Sequence, residues 1–157
     1  MTLMVGEPAP DFELPDAEGN LVKLSQRRGQ WVVLYFYPRD NTPGCTKEAC
    51  GFRDAYTDYQ SQQVAVLGVS TDDAKAHAKF AAKYRLPFPL LVDEGGQVAS
   101  AYGSYGLKKF MGKEYMGVTR STFIIDPDGN LAKIYPKVKP EPHAQEVLED
   151  LAGLMVS

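Results

Sequence analysis

Two cysteines and a threonine, close together in the sequence, form the part of the chain best suited to chemistry. Cys45 and Cys50, the two cysteines of the protein, lie within residues 38–50. Thr42-Pro43 is typical of a helix start, because Thr caps the helix and Pro lacks only an N–H that the first turn does not use. Cys45 would then lie in the first turn, where free N–H groups and the helix dipole favour an anion. A cysteine in such a place tends to become a thiolate, the nucleophilic form.

The elements that must position these residues are predicted from the spacing of apolar side chains. The run Trp31–Tyr37 is apolar throughout, as expected of a strand buried on both faces of a parallel sheet. The helix starting at Pro43 is expected to reach about Gln60. Other expected elements are a hairpin over residues 11–24, strands Val64–Ser70, Phe88–Asp93, Ser121–Asp126 and Leu131–Tyr135, a helix capped by Thr71 or Asp72 that runs to about Tyr84, a short helix Gln97–Tyr102, and a helix from His143 to about Leu154.

The order of these elements indicates an α/β fold whose sheet is parallel at first and has an antiparallel edge. In such sheets a site forms beyond the carboxyl ends of the strands, here between Tyr37 and Pro43. The segment Gly103–Thr119 contains four glycines and is predicted to be a long loop, functional or mobile. The length of 157 residues suits a single domain, residues 1–157.

Composition narrows the classes of partner. With 44% hydrophobic residues, 24% charged residues and a net charge of −3, we expect an ordinary globular protein that binds neither nucleic acid nor a membrane. The first residues lack a basic region, so no signal peptide is expected and the predicted location is cytoplasmic. Two cysteines there are more typical of catalysis or metal binding than of a structural disulfide. His77 and His143 are too scattered to complete a zinc site.

A cation is expected beside Cys45, since a helix terminus contributes at most about 2 kcal/mol toward ionising a thiol. Arg120 is the first candidate. If the strand Ser121–Asp126 runs antiparallel to Trp31–Tyr37, Arg120 lies next to Cys45; otherwise it is a solvated arginine at a strand entrance. Arg39 is the reserve candidate.

Four further residues flank Cys45. Glu48 lies one turn later without an oppositely charged i±4 neighbour, so we expect an arginine to bind it. The Thr42 hydroxyl can accept a backbone N–H and donate to the thiolate or to a substrate beside it. Pro38 ends the strand and, in the functional interpretation, shields Cys45 from water. Cys50 projects about 140° around the helix, either as a small residue on a half-exposed face or as a second reactive thiol.

A family resemblance now becomes visible. Pro38, Thr42 and Cys45 match the Pro-x-x-x-Thr-x-x-Cys motif, so the chain resembles the peroxiredoxins, thioredoxin-fold enzymes that reduce peroxides with a cysteine. A second cysteine five residues on, Cys50, resembles the peroxiredoxin Q subgroup, also called bacterioferritin comigratory proteins. Arg120 matches that family's active-site arginine. The resemblance covers nearly the whole chain.

The resemblance implies a thioredoxin-like fold, with a mixed central sheet flanked by helices and an N-terminal hairpin. It implies that Cys45 reduces hydrogen peroxide and organic hydroperoxides, becoming a sulfenic acid that Cys50 resolves as a disulfide. Thioredoxin or a similar dithiol would recycle the disulfide. Pro38, Thr42, Arg120 and Glu48 would complete the site. No cofactor or metal is expected, and the chain is expected to be a monomer.

Two other classes remain open at this point. A thiol–disulfide oxidoreductase could use the same scaffold, although such proteins use a Cys-x-x-Cys pair and four residues intervene here. A redox-sensing or holdase module would show no turnover.

The spacing of the cysteines leads to a conformational prediction. Residues five apart in an α-helix have Cα atoms about 8.7 Å apart, whereas a disulfide needs about 7 Å or less. We therefore expect a helix from Pro43 in the reduced protein and loss of helix across Thr42–Gly51 in the disulfide form. Gly44 and Gly51 weaken the helix at both ends of the pair.

Overall fold

The computed structural model describes residues 3–140 and 142–156, and a mixed sheet forms the centre of that part of the chain. Its five strands lie in the order β5 (Leu90–Val92), β4 (Val64–Ser70), β3 (Trp31–Phe36), β8 (Ser121–Ile125) and β9 (Leu131–Tyr135). Strand β3 is parallel to β4 and antiparallel to β8. The predicted α/β architecture is therefore confirmed. The strands are β1 (Glu13–Pro15), β2 (Leu21–Lys23), β3 (Trp31–Phe36), β4 (Val64–Ser70), β5 (Leu90–Val92), β6 (Tyr105–Phe110), β7 (Lys113–Val118), β8 (Ser121–Ile125) and β9 (Leu131–Tyr135).

Helices cover both faces of the sheet, and apolar residues of β3 are buried on each face. Val33 and Tyr35 pack into the cluster that holds Phe52 and Val147, and Val32 packs into the other cluster. Alternation along a strand sends neighbouring side chains to opposite faces. The helices are α1 (Pro43–Asp54), α2 (Tyr56–Ser61), α3 (Ala74–Tyr84), α4 (Gln97–Ala101) and α5 (His143–Val156).

Two predicted helix boundaries were wrong. The helix from Pro43 does not run unbroken to Gln60, because Ala55 leaves the helical conformation with a ψ of 1° and separates α1 from α2. The cap of α3 is Asp73, whose carboxylate accepts a hydrogen bond from the N–H of Ala76. An N-cap needs an oxygen that reaches the N2 or N3 amide, and Asp73 is the residue in register.

The segment predicted to be a long loop is instead a hairpin. Strands β6 and β7 pair antiparallel from Tyr105↔Val118 to Phe110↔Lys113. Met111 and Gly112 turn the chain with φ values of 51° and 79°, as in the tight turns that suit two-residue hairpin loops. The glycines concealed this strand pattern, and large apolar side chains stay exposed along it: Leu107, Phe110, Met111, Tyr115 and Met116.

The antiparallel pairing of β3 with β8 positions the site. Phe36, the last residue of β3, pairs with Ser121, the first residue of β8. Arg120 therefore lies beside the end of β3, as predicted. The predicted β8–β9 hairpin is confirmed, whereas the predicted connection of residues 136–142 includes residue 141, outside the described residues. None of the described helices has the length and hydrophobicity that crossing a bilayer requires.

Candidate active site

Cys45 lies in the first turn of α1, where the sequence predicted it. Thr42 is the N-cap residue, with extended backbone, and Pro43 begins the helix. The N–H of Thr46 donates to the Thr42 carbonyl at 2.8 Å, which closes the first turn. Cys45 is 1% exposed, so its sulfur is buried at the positive end of the helix dipole.

The Thr42 side chain differs from its prediction. No side-chain hydrogen bond caps the helix. Instead, the Thr42 hydroxyl donates to the carbonyl of Arg39 at 2.9 Å. Short hydroxyl side chains readily bond to backbone groups three residues away, and this bond competes with capping. The hydroxyl proton is thus engaged, and the oxygen keeps its capacity to accept.

Arg120 contacts both Cys45 and Glu48. Its Nη2 lies 3.3 Å from Sγ of Cys45, and its Nη1 lies 2.7 Å from Oε1 of Glu48. The Arg120 side chain is 16% exposed and that of Glu48 is 0% exposed. The predicted arginine neighbour of Cys45 and the predicted arginine partner of Glu48 are therefore the same residue.

Burial controls the ionisation of this pair. Burial raises the pKa of Glu48 to about 7, although Arg120 opposes the shift. Burial also disfavours the charge on Arg120, but Glu48 and Cys45 outweigh it and raise the arginine's pKa, so the guanidinium stays cationic. Oε2 of Glu48 has no hydrogen-bond partner among the described residues, consistent with a carboxyl group that is costly to ionise.

Tyr35 lies beneath the site and was not anticipated. Its ring stacks on Phe52 at 4.8 Å, and its hydroxyl is buried without a partner in the described part of the chain. Burial, together with the charges of Glu48 and Cys45, raises the pKa of Tyr35. Tyr35 therefore stays neutral. In the sequence it reads simply as one residue of an apolar strand.

Cys50 is half-buried and faces a different environment from Cys45. It lines an open groove of about 490 Å³ between α1, α2 and the start of α5, together with Lys47, Asp54 and His143. Both thiols are free. Since both lie within the intact helix α1, the predicted helical form of the reduced protein is confirmed.

Pro38 and Arg39 are both exposed. Pro38 lies two residues after Phe36, the last residue of β3, which agrees with its predicted place as strand terminator. Its shielding of Cys45 stays a prediction. Arg39 contributes its carbonyl to Thr42, whereas Arg120 takes the position beside the sulfur. Arg39, the reserve candidate, is thus not the cation beside Cys45.

His77 and His143 are both buried, and each is held by hydrogen bonds rather than grouped with the other. His143 bonds to Thr122 and Glu146 at 2.8 and 2.9 Å. His77 contacts Asp40, and potential ligand atoms of Asp40, Asp72 and His77 lie within 4.8 Å of one another. Both ring nitrogens of His77 and both oxygens of Asp40 are already engaged in hydrogen bonds. We therefore treat this cluster as a hydrogen-bond network.

From the sequence, His77 was considered only as a metal ligand, and the role of Asp40 was not predicted. The spacing in the sequence could have indicated that His77 is buried, because it precedes Phe80 by three residues and Tyr84 by seven and so shares their face of the helix.

The chain is similar to known proteins along most of its length. Residues 5–134 match the AhpC/TSA family. The chain is 49% identical over 154 residues to "Peroxiredoxin Bcp" of Bacillus subtilis, covering 98% of each chain. It is 44% identical over 146 residues to "Peroxiredoxin Bcp" of Escherichia coli, covering 93% of this chain and 94% of that one.

Solved structures give the same result. A Cys-to-Ser variant of PrxQ from Xylella fastidiosa superposes with a TM-score of 0.93 at 32% identity, covering 99% of both chains. The bacterioferritin comigratory protein of Xanthomonas campestris, described for alkyl peroxide reduction, gives 0.90 at 35% identity, covering 98% of both.

The chain therefore belongs to the AhpC/TSA family of thioredoxin-fold proteins. Within that family it is a peroxiredoxin of the Bcp/PrxQ type, a thiol-dependent peroxidase. The resemblance stated from the motif and the predicted thioredoxin-like fold are both confirmed.

Proposed function

We propose that Cys45 is the peroxidatic nucleophile. Its thiolate attacks the terminal oxygen of a hydroperoxide, the O–O bond breaks, the sulfur becomes a sulfenic acid, and the departing oxygen leaves as water or an alcohol after protonation. The observation that carries this proposal is the 3.3 Å contact between Nη2 of Arg120 and Sγ of Cys45. A fixed cation at the first helical turn favours the thiolate and stabilises negative charge on the departing oxygen.

Arg120, Glu48 and Thr42 are proposed to hold the reacting groups. Glu48 orients the guanidinium through the 2.7 Å ion pair. The Thr42 hydroxyl already donates to Arg39, so its oxygen is available to accept the O–H of the hydroperoxide. Pro38, at the end of the preceding strand, is proposed to limit the access of water.

Cys50 is proposed to be the resolving thiol. It attacks the sulfenic sulfur of Cys45, water leaves, and an intramolecular disulfide forms. Since the two Cα atoms of an intact helix lie about 8.7 Å apart, α1 must first unwind around the pair. Thioredoxin or a similar dithiol would then attack the disulfide, and the open groove beside Cys50 offers a route for that attack.

Hydrogen peroxide and organic hydroperoxides are the proposed substrates, the latter supported by the alkyl peroxide reduction described for the Xanthomonas relative. We further propose a single domain, because the relatives match nearly end to end. A cytoplasmic location and a monomeric state stay predictions, and sedimentation of the reduced protein would test the second.

The experiment is a stopped-flow measurement of peroxide consumption with and without thioredoxin. Cys45→Ser should abolish consumption. Cys50→Ser should consume about one equivalent and then stall without an intramolecular disulfide. Normal turnover of the Cys50 variant with thioredoxin would contradict the resolving role. Turnover of the Cys45 variant would contradict the whole proposal.

A further inference from the structure

A buried carboxylate lies in the loop that leads from β3 to α1. Asp40 is 8% exposed. Its Oδ1 accepts a hydrogen bond from the Tyr37 hydroxyl at 2.5 Å, and its Oδ2 lies 2.6 Å from Nδ1 of His77. Both carboxylate oxygens are satisfied by side chains, which a buried charge requires.

His77 contacts Asp40 through one ring nitrogen and a backbone carbonyl through the other. It is 0% exposed, and its Nε2 lies 2.8 Å from the carbonyl oxygen of Leu91. A carbonyl oxygen can only accept, so Nε2 carries a proton, and Nδ1 donates to the carboxylate of Asp40. Burial opposes the charge, but the contacts with Asp40 outweigh it and hold the pKa of His77 above its usual range.

Helix α3 fixes the same loop at two further points. The N–H of Asp40 donates to Oδ2 of Asp72, just before the helix, at 2.8 Å. Asn41, in the left-handed conformation with a φ of 59°, accepts hydrogen bonds from Lys83 and Tyr84 on its side-chain oxygen. The loop is thus bound to residues that come after β4, which lies on one side of β3, whereas β8, which begins just after Arg120, lies on the other side.

We propose that His77 is a positioning residue for peroxide reduction, acting through Asp40 on the loop that carries Thr42 and starts α1. The inference rests on the proposed role of Cys45. Thr42 lies two residues after Asp40, and Cys45 three residues after Thr42. A displacement of about 1 Å in such a loop can slow a reaction by about 100-fold, so the hydrogen bond between His77 and Asp40 bears directly on the rate.

Two substitutions of His77 separate positioning from packing. Asn can place an N–H near the position of Nδ1 and keep the bond to Asp40, whereas Gln places its N–H near Nε2 and keeps the bond to Leu91. We expect His77→Gln to slow the oxidation of Cys45 by peroxide by at least about tenfold. His77→Asn should stay within about threefold of the wild-type rate.

Val32→Ala is the matched control for lost stability. Val32 is buried on the sheet face opposite α1 and lies about 13 Å along β3 from Phe36. The Val32→Ala substitution should lower the midpoint of urea unfolding without changing the rate at which peroxide oxidises Cys45. The Asp40→Asn variant completes a double-mutant cycle. If His77 acts through Asp40, then adding His77→Gln to the Asp40→Asn variant should slow the oxidation of Cys45 little further.

Amide hydrogen exchange across residues 39–45 gives a readout that does not depend on peroxidase activity. It should rise in His77→Gln and stay near wild type in His77→Asn. Faster exchange together with the rate difference between the Gln and Asn variants supports the proposal. Equal rates in these two variants, additive effects in the cycle, or unchanged exchange in His77→Gln would overturn it. A wild-type protein without Cys45-dependent activity would instead refute the proposed function, and the exchange data would still decide whether His77 positions the loop.

Discussion

Gly44 and Arg120 are in such close contact that a Cβ atom at Gly44 would lie 2.9 Å from Nη2 of Arg120. The same nitrogen bonds to Sγ of Cys45. A side chain at this position in the first turn of α1 would therefore push the guanidinium away from the thiol.

Gly44→Ala should slow peroxide reduction although it leaves both cysteines in place. The methyl group must displace Nη2, and loss of one donor to developing negative charge costs about 100-fold in rate; a partial displacement should cost about tenfold. The helix itself should gain about 1 kcal/mol, so the variant should not unfold more easily. Stopped-flow rates and urea unfolding measure the two effects separately. A wild-type rate would contradict the contact.

Gly51→Ala is the matched variant at the other end of the cysteine pair. Its Cβ would lie 3.5 Å from Cβ of Ala144, an ordinary contact. The stabilised helix should be harder to unwind by about 1 kcal/mol, which corresponds to about fivefold slower disulfide formation. The attack on peroxide should keep its rate. Quenched-flow samples analysed by mass spectrometry separate the attack on peroxide from disulfide formation. Slowing of the attack on peroxide instead would argue against unwinding of α1 as a requirement for disulfide formation.

Arg120→Ala should slow peroxide reduction by about 100-fold, because the donor that contacts Sγ of Cys45 at 3.3 Å is lost. Arg120→Lys should recover only part of this loss, because an ammonium lacks the planar fork that reaches Cys45 and Glu48 together. The stopped-flow rate of Cys45 oxidation by peroxide is the measurement. A wild-type rate in Arg120→Ala would remove this residue from the site.

Glu48 should make the reduced protein less stable as pH rises. Burial raises its pKa from 4.5 to about 7. The folded state therefore keeps a proton that the unfolded state releases between these values. The unfolding free energy then falls across that window, by about 3 kcal/mol at most for this group.

Glu48→Gln should remove that part of the pH dependence, since an amide does not titrate. Urea unfolding of both proteins at pH 5 and pH 8, with a reductant present, gives the comparison. The wild type should lose stability relative to the variant as pH rises. Parallel pH profiles would show that Glu48 ionises in the folded protein as readily as in the unfolded chain.

Local patterns in the sequence predicted the parts of the site that depend on local geometry. Thr42-Pro43 marked the helix start that places Cys45, and the apolar run before it marked the buried strand. The position of Arg120 followed from one assumption, the antiparallel direction of its strand. Long-range partners could not be predicted in this way: the sequence did not show which arginine would reach Glu48.

Two features of the structure were not predicted from the sequence, for different physical reasons. The hairpin of β6 and β7 exposes apolar residues, and the segment that contains it, Gly103–Thr119, has four glycines. Neither alternation of apolar and polar residues nor strand propensity therefore marked its strands. The contact of Asp40 with His77 joins residues 37 positions apart. It depends on how α3 packs beside the loop, which only the folded chain reveals.

Unwinding of α1 between the two cysteines is the central claim, and amide hydrogen exchange of the purified disulfide form tests it most directly. Reduced protein and the Cys50→Ser variant serve as controls, and peptide mapping verifies the Cys45–Cys50 bond. We expect much faster exchange across Thr42–Gly51 in the disulfide form, with protection returning from Phe52 onward, where the helix is anchored in the core. A Cys45–Cys50 disulfide whose segment is as protected as in the reduced protein would contradict the mechanism.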